Sequence, residues 1–406
     1  MDGLTDCLTH MTNSLARQRI ELVARLAWFV LMVYVFLVAI KLFGISAKIV
    51  GADTARSLFS GLENPFAGLA VGILATVLMQ SSSATTSLAV ILVGGGELTV
   101  AQAVPVVMGA NVGTSITNTL VSLGHISQGE AFRRAFAGAT VHDIFNLLTV
   151  AILLPVELLT RRLCGVGYLQ GAATWLVDFL HLQGRGGKFH SPINTAVEWL
   201  AEWIKACFSN LLDLEWAQTF YQDFLHMKKE PLLGGILLVI AIAALIFALI
   251  AITKNMRILM ANRIEVWLNQ VLTRSGLLGL AIGAIITAIV QSSSITTSLL
   301  IPMFGAGVLK IEAGFPIMVG ANIGTTVTAM LAAMVAGGNG LIIAFVHLLF
   351  NVSGTVIFFP FPPMRRIPII LAQKLADLTI RNRVWVLIYV FGVFFVIPIL
   401  GIVIWK

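Results

Sequence analysis

The chain has 406 residues, of which 58% are hydrophobic and only 11% are charged. Soluble globular domains carry about a quarter charged residues, so this composition excludes an ordinary soluble enzyme or binding domain and indicates a multi-pass membrane protein. The formal net charge is +7, but the basic residues lie in short clusters between apolar stretches. That distribution favours loop charges that orient membrane helices over a surface that binds nucleic acid.

The first apolar stretch, 22–43, is long enough to cross a bilayer as one helix. The residues before it are polar and mixed and show no cleavable signal pattern, so we expect this helix to remain in the mature chain. Two later stretches, 232–252 and 384–405, also have the character of ordinary membrane helices.

Two polar strings interrupt the apolar sequence. Residues 80–86 read QSSSATT and residues 291–297 read QSSSITT. Hydrocarbon offers no hydrogen-bond partner, so clustered hydroxyl and amide groups at membrane depth are expected to face protein or a water-filled cavity. We predict that the two strings are two halves of one buried polar site.

The strings belong to an internal repeat. The shift from 80 to 291, which is 211 residues, also aligns Pro105 with Pro316, and about half of the positions across 80–118 are identical at this shift. The strings HDIFN at 142–146 and HLLFN at 347–351 align at a shift of 205. Such repeats are the usual build of secondary transporters, whose substrate sites lie near the bilayer midplane at the repeat interface.

The apolar stretches inside each copy are short. Residues 69–79 and 88–93 fall well below the roughly 20 residues that a spanning helix needs. This favours re-entrant hairpins and interrupted helices, with residues 94–96, Pro105, Gly109 and Gly113 as points where the backbone can leave helical geometry.

These patterns predict an all-α integral membrane protein that divides into six segments. The section between the copies holds most of the polar residues and contains a predicted amphipathic helix over 197–225. The segments are an N-terminal segment with the first membrane helix (1–63), repeat 1 (64–160), a hydrophilic section (161–230), a linking membrane helix with a basic connection (231–274), repeat 2 (275–364), and a second basic connection with the last membrane helix (365–406).

The basic connection near residues 254–274 is expected to be cytoplasmic, which places the section 161–230 outside. Cys164 and Cys207 both lie in that section. If the section faces an oxidising compartment, a disulfide between these two cysteines is one alternative.

Fixed positive charge is almost absent from the core of each copy. There is no lysine or arginine between Arg56 and Arg133, and only Lys310 between Arg274 and Arg365. An anion bound there must be held by hydroxyl and amide donors, by backbone N–H groups at helix N-termini and by co-bound cations. Hydroxyl oxygens can also coordinate sodium, so the pattern suits an anion that travels with sodium.

Asp143 breaks the symmetry of the repeat, because a leucine takes its place in the second copy. It is a candidate ligand for a coupling ion or an acceptor in helix packing, and both interpretations stay open. His142 and His347 are expected to be hydrogen-bonded packing residues, and Asn146 and Asn351 to join helices through their amides.

Several strings resemble the type II sodium-dependent phosphate cotransporter family. They are the paired QSSS motifs, MGANVGTSITNT at 108–119, FRRAFAGATVHD at 132–143 and GANIGTT at 320–326. The resemblance implies a sodium-coupled symporter, not an enzyme, that imports inorganic phosphate, with two repeats of inverted topology in the lipid bilayer. The modest loop between the copies and the end at Lys406 resemble a bacterial member, which would reside in the cell (inner) membrane.

The resemblance also implies which residues bind the solutes. The expected phosphate ligands are Gln80, Ser81, Ser82, Ser83, Gln291, Ser292, Ser293 and Ser294. The expected sodium ligands are Ser83, Thr85, Asn111, Thr114, Asp143, Ser294, Thr296, Asn322 and Thr325. Electrogenic animal members hold an aspartate shortly before the FRR string, and residues 127–130 offer none here, so the number of sodium ions stays open.

Three alternatives remain at this point. The solute could be another oxyanion, such as sulfate, or a small carboxylate, because hydroxyl donors do not distinguish tetrahedral anions. The strings could line a channel. An intramembrane hydrolase could use one serine with His142 and Asp143 as base and orienter, although the serines are duplicated, the acid is not, and there is no G-x-S-x-G string.

Overall fold

The computed structural model describes residues 2–50, 60–180, 182, 192–224, 227–271 and 276–405. Regular structure in these ranges is helical throughout, which confirms the predicted all-α class. Six of the described helices are long and apolar enough to cross a membrane, as expected for a multi-pass protein. Their candidate spans are Ile20–Ser46, Glu130–Cys164, Lys229–Ile252, Ile311–Ala336, Gly340–Phe358 and Val384–Trp405.

The first copy of the repeat begins with a hairpin of two short helices. Asn64 caps the first of them by accepting a hydrogen bond from the Phe66 N–H at 3.0 Å, and Pro65 supplies a preset φ at the first helical position. The hairpin helices have 15 and 14 residues and are only about 22 Å long, less than the hydrocarbon thickness of about 30 Å. The N-terminal helix and the first copy comprise α1 (Asp2–Val50), α2 (Pro65–Met79), α3 (Ser82–Gly95), α4 (Val100–Gly113), α5 (Ile116–Ser122) and α6 (Glu130–Cys164).

The section between the copies forms α7 (Tyr168–Phe179), α8 (Pro192–Leu212) and α9 (Glu215–Thr219), followed by the long α10 (Lys229–Val271). The predicted single helix over 197–225 is therefore wrong, because the extended backbone of Leu214 separates α8 from α9. Cys164 and Cys207 are both free and exposed, so the disulfide alternative is also wrong. Arg274 lies outside the described residues.

The second copy repeats this plan with two differences in helix continuity, and the last segment follows it. The helices are α11 (Gly276–Val290), α12 (Ser293–Ser298), α13 (Leu300–Gly305), α14 (Ile311–Ala336), α15 (Gly340–Phe358), α16 (Pro362–Arg381), α17 (Val384–Phe391) and α18 (Ile397–Trp405). A π-helical turn, Gly392–Val396, joins the last two. First, α14 is continuous, whereas the matching part of the first copy is broken between α4 and α5. Second, α3 is continuous, whereas the matching part of the second copy is divided into α12 and α13.

Each hairpin packs into the opposite copy. The helix that follows the first polar string, α3, contacts α14 and α15 of the second copy. Reciprocally, α12 contacts α5, and α13 contacts α5 and α6, in the first copy. Outside the repeats, α1 packs along α10, and α18 packs on α2. The interface between the copies therefore runs past both polar strings.

Glycine pairs bring the first hairpin helix of each copy close to its neighbour. A methyl group at Gly72 or Gly109 would overlap the backbone carbonyl of Val106 or Leu69 respectively, which sets the approach of α2 to α4. At the same shift of 211, Gly283 and Gly320 do the same between α11 and α14. Small residues spaced by four are the usual basis of close helix contact in membranes.

These contacts correct part of the sequence analysis. Pro105 and Gly109 were expected to mark breaks, but α4 continues through both, because the glycine is needed for helix approach and not for unwinding. The prediction holds at the end of α3, where Gly96 closes the helix with a left-handed φ of 86°.

The FRR string at 132–134 fastens α6 to later parts of the chain. Arg133 pairs with Asp377 of α16. Arg134 donates two hydrogen bonds, of 3.2 and 2.8 Å, to the carbonyl of Gly305 at the end of α13. The described contacts of both arginines are thus structural.

We expect Gly109→Ala to destabilise the protein, because overpacking of a close helix contact costs about 1–3 kcal/mol. The matched control is Gly44→Ala in α1, where nothing lies within 4 Å of the added carbon. Thermal unfolding of the purified variants in detergent should show a lower apparent melting temperature for Gly109→Ala alone. Equal melting temperatures would contradict the packing argument.

Candidate functional site

Each polar string forms the turn of its hairpin. Gln80 and Gln291 adopt a left-handed backbone, with φ of 52° and 59°, and they are the non-glycine residues of the described chain that do so. The serines that follow them, Ser81 and Ser292, are extended. Left-handed geometry costs a non-glycine residue about 1–2 kcal/mol, and such strain tends to occur at binding sites. Because the same strained turn occurs in both copies, the two strings are candidate binding sites.

The serines of each string divide into two kinds. Ser81 and Ser292 are helix caps, because their hydroxyls accept hydrogen bonds from the backbone N–H of Ala84 and Ile295. In the described part of the chain the remaining hydroxyls make no hydrogen bond, although three of these four serines are buried. They belong to Ser82, Ser83, Ser293 and Ser294. These four side chains are free to donate to a bound solute.

The threonines of the strings are mainly structural. Thr85 and Thr296 pair with Thr76 and Thr287 across the hairpin at 2.8 and 2.9 Å. Farther along, the hydroxyls of Thr114 and Thr325 each donate to the carbonyl four residues earlier, at 2.9 Å. This is the ordinary behaviour of threonine in a membrane helix. Only the oxygen lone pairs of these side chains remain for an ion, so their role as sodium ligands stays a prediction.

Each glutamine is held by a threonine that the sequence analysis did not select. The Gln80 Oε1 atom accepts from Thr117 at 3.0 Å, and the Gln291 Oε1 atom accepts from Thr328 at 2.8 Å. Thr117 and Thr328 align at the shift of 211. The internal repeat could therefore have identified both threonines from the sequence. The surroundings differ, because Gln80 is exposed and Gln291 is buried.

One turn of α5 contacts both strings. Thr117 holds Gln80 of the first string, and the next residue, Asn118, accepts a hydrogen bond of 3.0 Å from Thr297 of the second. Consecutive Cα atoms are about 3.8 Å apart. The structure thus brings an end of each string to a single turn of helix, as expected if both face one region.

Asparagines from opposite copies are hydrogen-bonded in a reciprocal pattern. The Asn351 amide donates to Asn111 Oδ1 at 3.1 Å, and the Asn322 amide donates to Asn146 Oδ1 at 2.8 Å. The His142 Nε2 atom lies 2.6 Å from Asn322 Oδ1. This confirms that Asn146 and Asn351 join helices and that His142 is a hydrogen-bonded packing residue. The role of Asn111 and Asn322 as sodium ligands stays a prediction. The expectation for His347 is wrong, because this buried side chain packs without a hydrogen bond to either ring nitrogen in the described part of the chain.

Asp143 is fully buried on α6. Its Oδ2 atom accepts from Thr119 at 3.1 Å and from the Tyr389 hydroxyl at 2.8 Å. The hydrolase alternative requires a serine–histidine–aspartate chain, but His142 and Asp143 bind different partners and neither is hydrogen-bonded to a serine of the strings. Tyr389 was not selected from the sequence, because no repeat or quoted motif includes it. Thr119 ends the string at 108–119, but it was not given a role as a site residue.

We expect Asn322→Ala to lower the apparent melting temperature of the purified protein. The substitution leaves His142 Nε2 and Asn146 Oδ1 buried without this partner, and each unsatisfied group costs about 1–3 kcal/mol. The control is Asn339→Ala, an exposed residue at the start of α15 whose side chain makes no capping hydrogen bond. An Asn322→Ala protein as stable as the control would show that the amide network does not hold the copies together.

Comparison with known proteins identifies a matching protein family. The family described as Na+/Pi-cotransporter matches residues 35–169 and 244–368, which include both polar strings, α5 and the four bridging asparagines. No solved structure matches the chain significantly.

Individual relatives match over most of the chain. It is 33% identical to sodium-dependent phosphate transport protein 2B of Pongo abelii, across 90% of this chain and 63% of that protein. It is 32% identical to sodium-dependent phosphate transport protein 2A of Rattus norvegicus, across 90% of this chain and 65% of that protein. The chain therefore spans a little under two thirds of the length of these relatives.

Proposed function

Because this chain belongs to the Na+/Pi-cotransporter family, we propose that it is a sodium-coupled symporter that imports inorganic phosphate across the cell (inner) membrane. The family is one of cotransporters and not of enzymes, and the six apolar helices make the chain a multi-pass membrane protein. The relatives named above are sodium-dependent phosphate transport proteins by name. Phosphate and sodium are therefore the solutes that we assign to the site.

The pair of duplicated hydroxyl turns is the observation that carries this proposal. Two free serine hydroxyls per copy sit beside a left-handed glutamine. A phosphate held between the copies would receive hydrogen bonds from hydroxyls of both strings and from backbone N–H groups at the start of α3. The proposed phosphate ligands are those given by the sequence analysis, and among them Ser81 and Ser292 act through their capped backbone turns.

Sodium ions would balance the charge of the anion. The strings carry no basic side chain, so a divalent phosphate would enter a neutral site that lacks a fixed countercharge. Hydroxyl and carbonyl oxygens are suitable ligands for a hard monovalent cation. Co-binding of sodium would then raise the affinity for phosphate, and the same coupling makes transport depend on the sodium gradient.

The unequal exposure of the two glutamines fits alternating access. Gln80 is exposed while Gln291 is buried, although each makes the same two hydrogen bonds inside its own copy. In a transporter built from two related halves, the halves expose the central site in turn. We assign this arrangement to a state in which the first string is the more accessible one.

Radiolabelled phosphate uptake into proteoliposomes tests the proposal. An inward sodium gradient should drive concentrative uptake that a potassium gradient does not support. Unlabelled phosphate should compete, and sulfate or small carboxylates should not. Uptake that ignored sodium would contradict the coupling, equally strong competition by sulfate would contradict the substrate, and failure to concentrate phosphate would favour a channel.

Serine substitutions test the site within the same assay. Ser82→Ala and Ser293→Ala should each raise the KM for phosphate by about tenfold, since a hydrogen bond to a charged group contributes about 1.5–3 kcal/mol. Ser127→Ala, in the exposed loop before α6, is the matched control and should behave like the unmodified protein. A KM that is unchanged in both string variants would exclude these hydroxyls as ligands.

A further inference from the structure

The helix α16 connects two candidate membrane spans. It follows the span Gly340–Phe358 and precedes the span Val384–Trp405. All 20 residues of α16 are described, and the helix is not itself a candidate span, because charged residues interrupt its apolar sequence. A connection that does not cross the bilayer has both of its ends on one side. The first span therefore ends, and the second begins, at the membrane surface where α16 lies.

Contacts with α6 indicate which surface this is. Arg133, near the start of α6, pairs with Asp377 of α16. The guanidinium of Arg383, just after α16, lies over the ring of Phe132 at 4.4 Å. Because α6 ends at Cys164, in the section that the sequence analysis places outside, α6 begins on the cytoplasmic side. On this predicted orientation α16 lies at the cytoplasmic surface.

One side of α16 carries a basic strip, which consists of Arg366, Lys374 and Arg381. At about 100° of rotation per residue, these three residues fall within a sector of about 80°. Their side chains are exposed, and within the described part of the chain they form no ion pair or hydrogen bond. The segment 362–383 holds five basic residues and one acidic residue, Asp377, which is already paired with Arg133. The positive charge of the strip is therefore not balanced by the described protein.

An apolar strip runs beside the basic one. Its residues Ile367, Leu371 and Leu378 fall within the next sector of about 40°. They are 37%, 40% and 39% exposed. Ala372 and Ala376, on the other side of the helix, are fully buried, and α16 packs on α6. A helix with neighbouring basic and apolar strips on its exposed side fits the boundary between lipid headgroups and acyl chains.

Exposed aromatic side chains lie at both ends of α16. Phe361 directly precedes the helix and is 62% exposed. Trp385 follows it, in the first turn of α17, and is 43% exposed. Tryptophan is enriched where membrane proteins meet the headgroup region. The two rings would therefore hold α16 at the depth at which its basic strip reaches lipid phosphates.

The amphipathic helix α8 offers a contrast. It exposes Trp199 beside Glu198, and that glutamate pairs with Lys41 of α1. Its other charged residues, Glu202 and Lys205, pair with each other. Because the charges of α8 are neutralised within the protein, this helix presents aromatic area to the membrane without a preference for headgroup charge. Such a preference is expected of α16.

We propose that α16 binds anionic phospholipids of the cytoplasmic leaflet, with the basic strip on the headgroup phosphates and the apolar strip among the acyl chains. The negative surface potential of that leaflet attracts basic segments. Arg133 fastens α16 to α6, and Arg134 fastens α6 to Gly305 at the end of α13. Bound lipid thus holds the start of α6 and the second hairpin at the membrane surface, whichever solute is transported.

Thermal unfolding in nanodiscs tests this lipid site without measuring transport. The full chain is placed in discs of phosphatidylcholine, an increasing share of which is replaced by phosphatidylglycerol, whose headgroup lacks a compensating positive charge. Phosphatidylglycerol should raise the apparent melting temperature, because a ligand that binds the folded state stabilises it. A high concentration of choline chloride should reduce this increase, since salt screens exposed charges.

Charge variants locate the effect on the basic strip. Lys374→Gln should need about fivefold more phosphatidylglycerol for the same shift, the equivalent of about 1 kcal/mol for one basic side chain near an anionic surface. The combined variant R366Q/K374Q/R381Q should lose the response. R366K/R381K keeps the charge and should keep the response. The matched control is Lys205→Gln on α8, whose charge is already paired, and it should titrate like the unmodified protein.

The discs of pure phosphatidylcholine supply the baseline. The substituted side chains of the strip are exposed, so the variants should unfold there at the temperature of the unmodified protein. If the combined variant does not fold, the titration of Lys374→Gln against Lys205→Gln decides.

Three results would overturn the inference. They are equal melting temperatures of the unmodified protein in the two lipids, equal titrations for Lys374→Gln and Lys205→Gln, and stabilisation in phosphatidylcholine discs by soluble polyglutamate as strong as that by phosphatidylglycerol. The last result would assign the basic strip to an acidic protein partner instead of a lipid. None of these outcomes depends on phosphate uptake, so failure of the transport proposal is recognised separately in the uptake assay.

Discussion

Hydrogen bonding between asparagines of opposite copies is the interaction on which the rest of the structure depends. Asn111 with Asn351, and Asn322 with Asn146, are buried pairs that place the two halves against each other. In hydrocarbon these amides have no water as an alternative partner, so the pairing is specific as well as stabilising. It fixes the register in which α3 meets the second copy and α12 meets the first, and hence where the two strings lie.

The threonine and serine side chains of the strings and of the neighbouring helices have different roles in the structure. Thr76, Thr85, Thr287 and Thr296 bond across their hairpins, and Thr114 and Thr325 bond back to a helix carbonyl, so these threonines define the shape of each copy. Thr297 differs, because it donates to Asn118 of the other copy. Within the described residues, the hydroxyls of Ser82, Ser83, Ser293 and Ser294, in the first turn of the following helices, make no hydrogen bond. A β-branched side chain is stiff and suits a structural contact, whereas serine can rotate to meet a solute. The composition of the strings, three serines followed by two threonines, thus carries a physical distinction.

The sequence reveals the class, the repeat and the strings, because composition and self-similarity need no knowledge of distant contacts. It also predicts the bonding of Asn146 and Asn351. It does not reveal that Gly109 serves close packing, since glycine permits both unwinding and approach, and only the position of Leu69 decides between them. The role of Tyr389 cannot be predicted from the sequence for a different reason. Its partner Asp143 is 246 residues away, and no periodicity links them.

The reciprocal packing of the hairpins has a consequence for the origin of the chain. One copy by itself would expose its asparagines and its serine turn to lipid, with nothing to satisfy them. A precursor made before the gene was doubled could have enclosed such a cavity only as a pair of identical subunits. The later loss of symmetry, seen in the continuous α14 and in Asp143, whose place is taken by a leucine in the second copy, became possible once both halves were encoded together and could diverge separately.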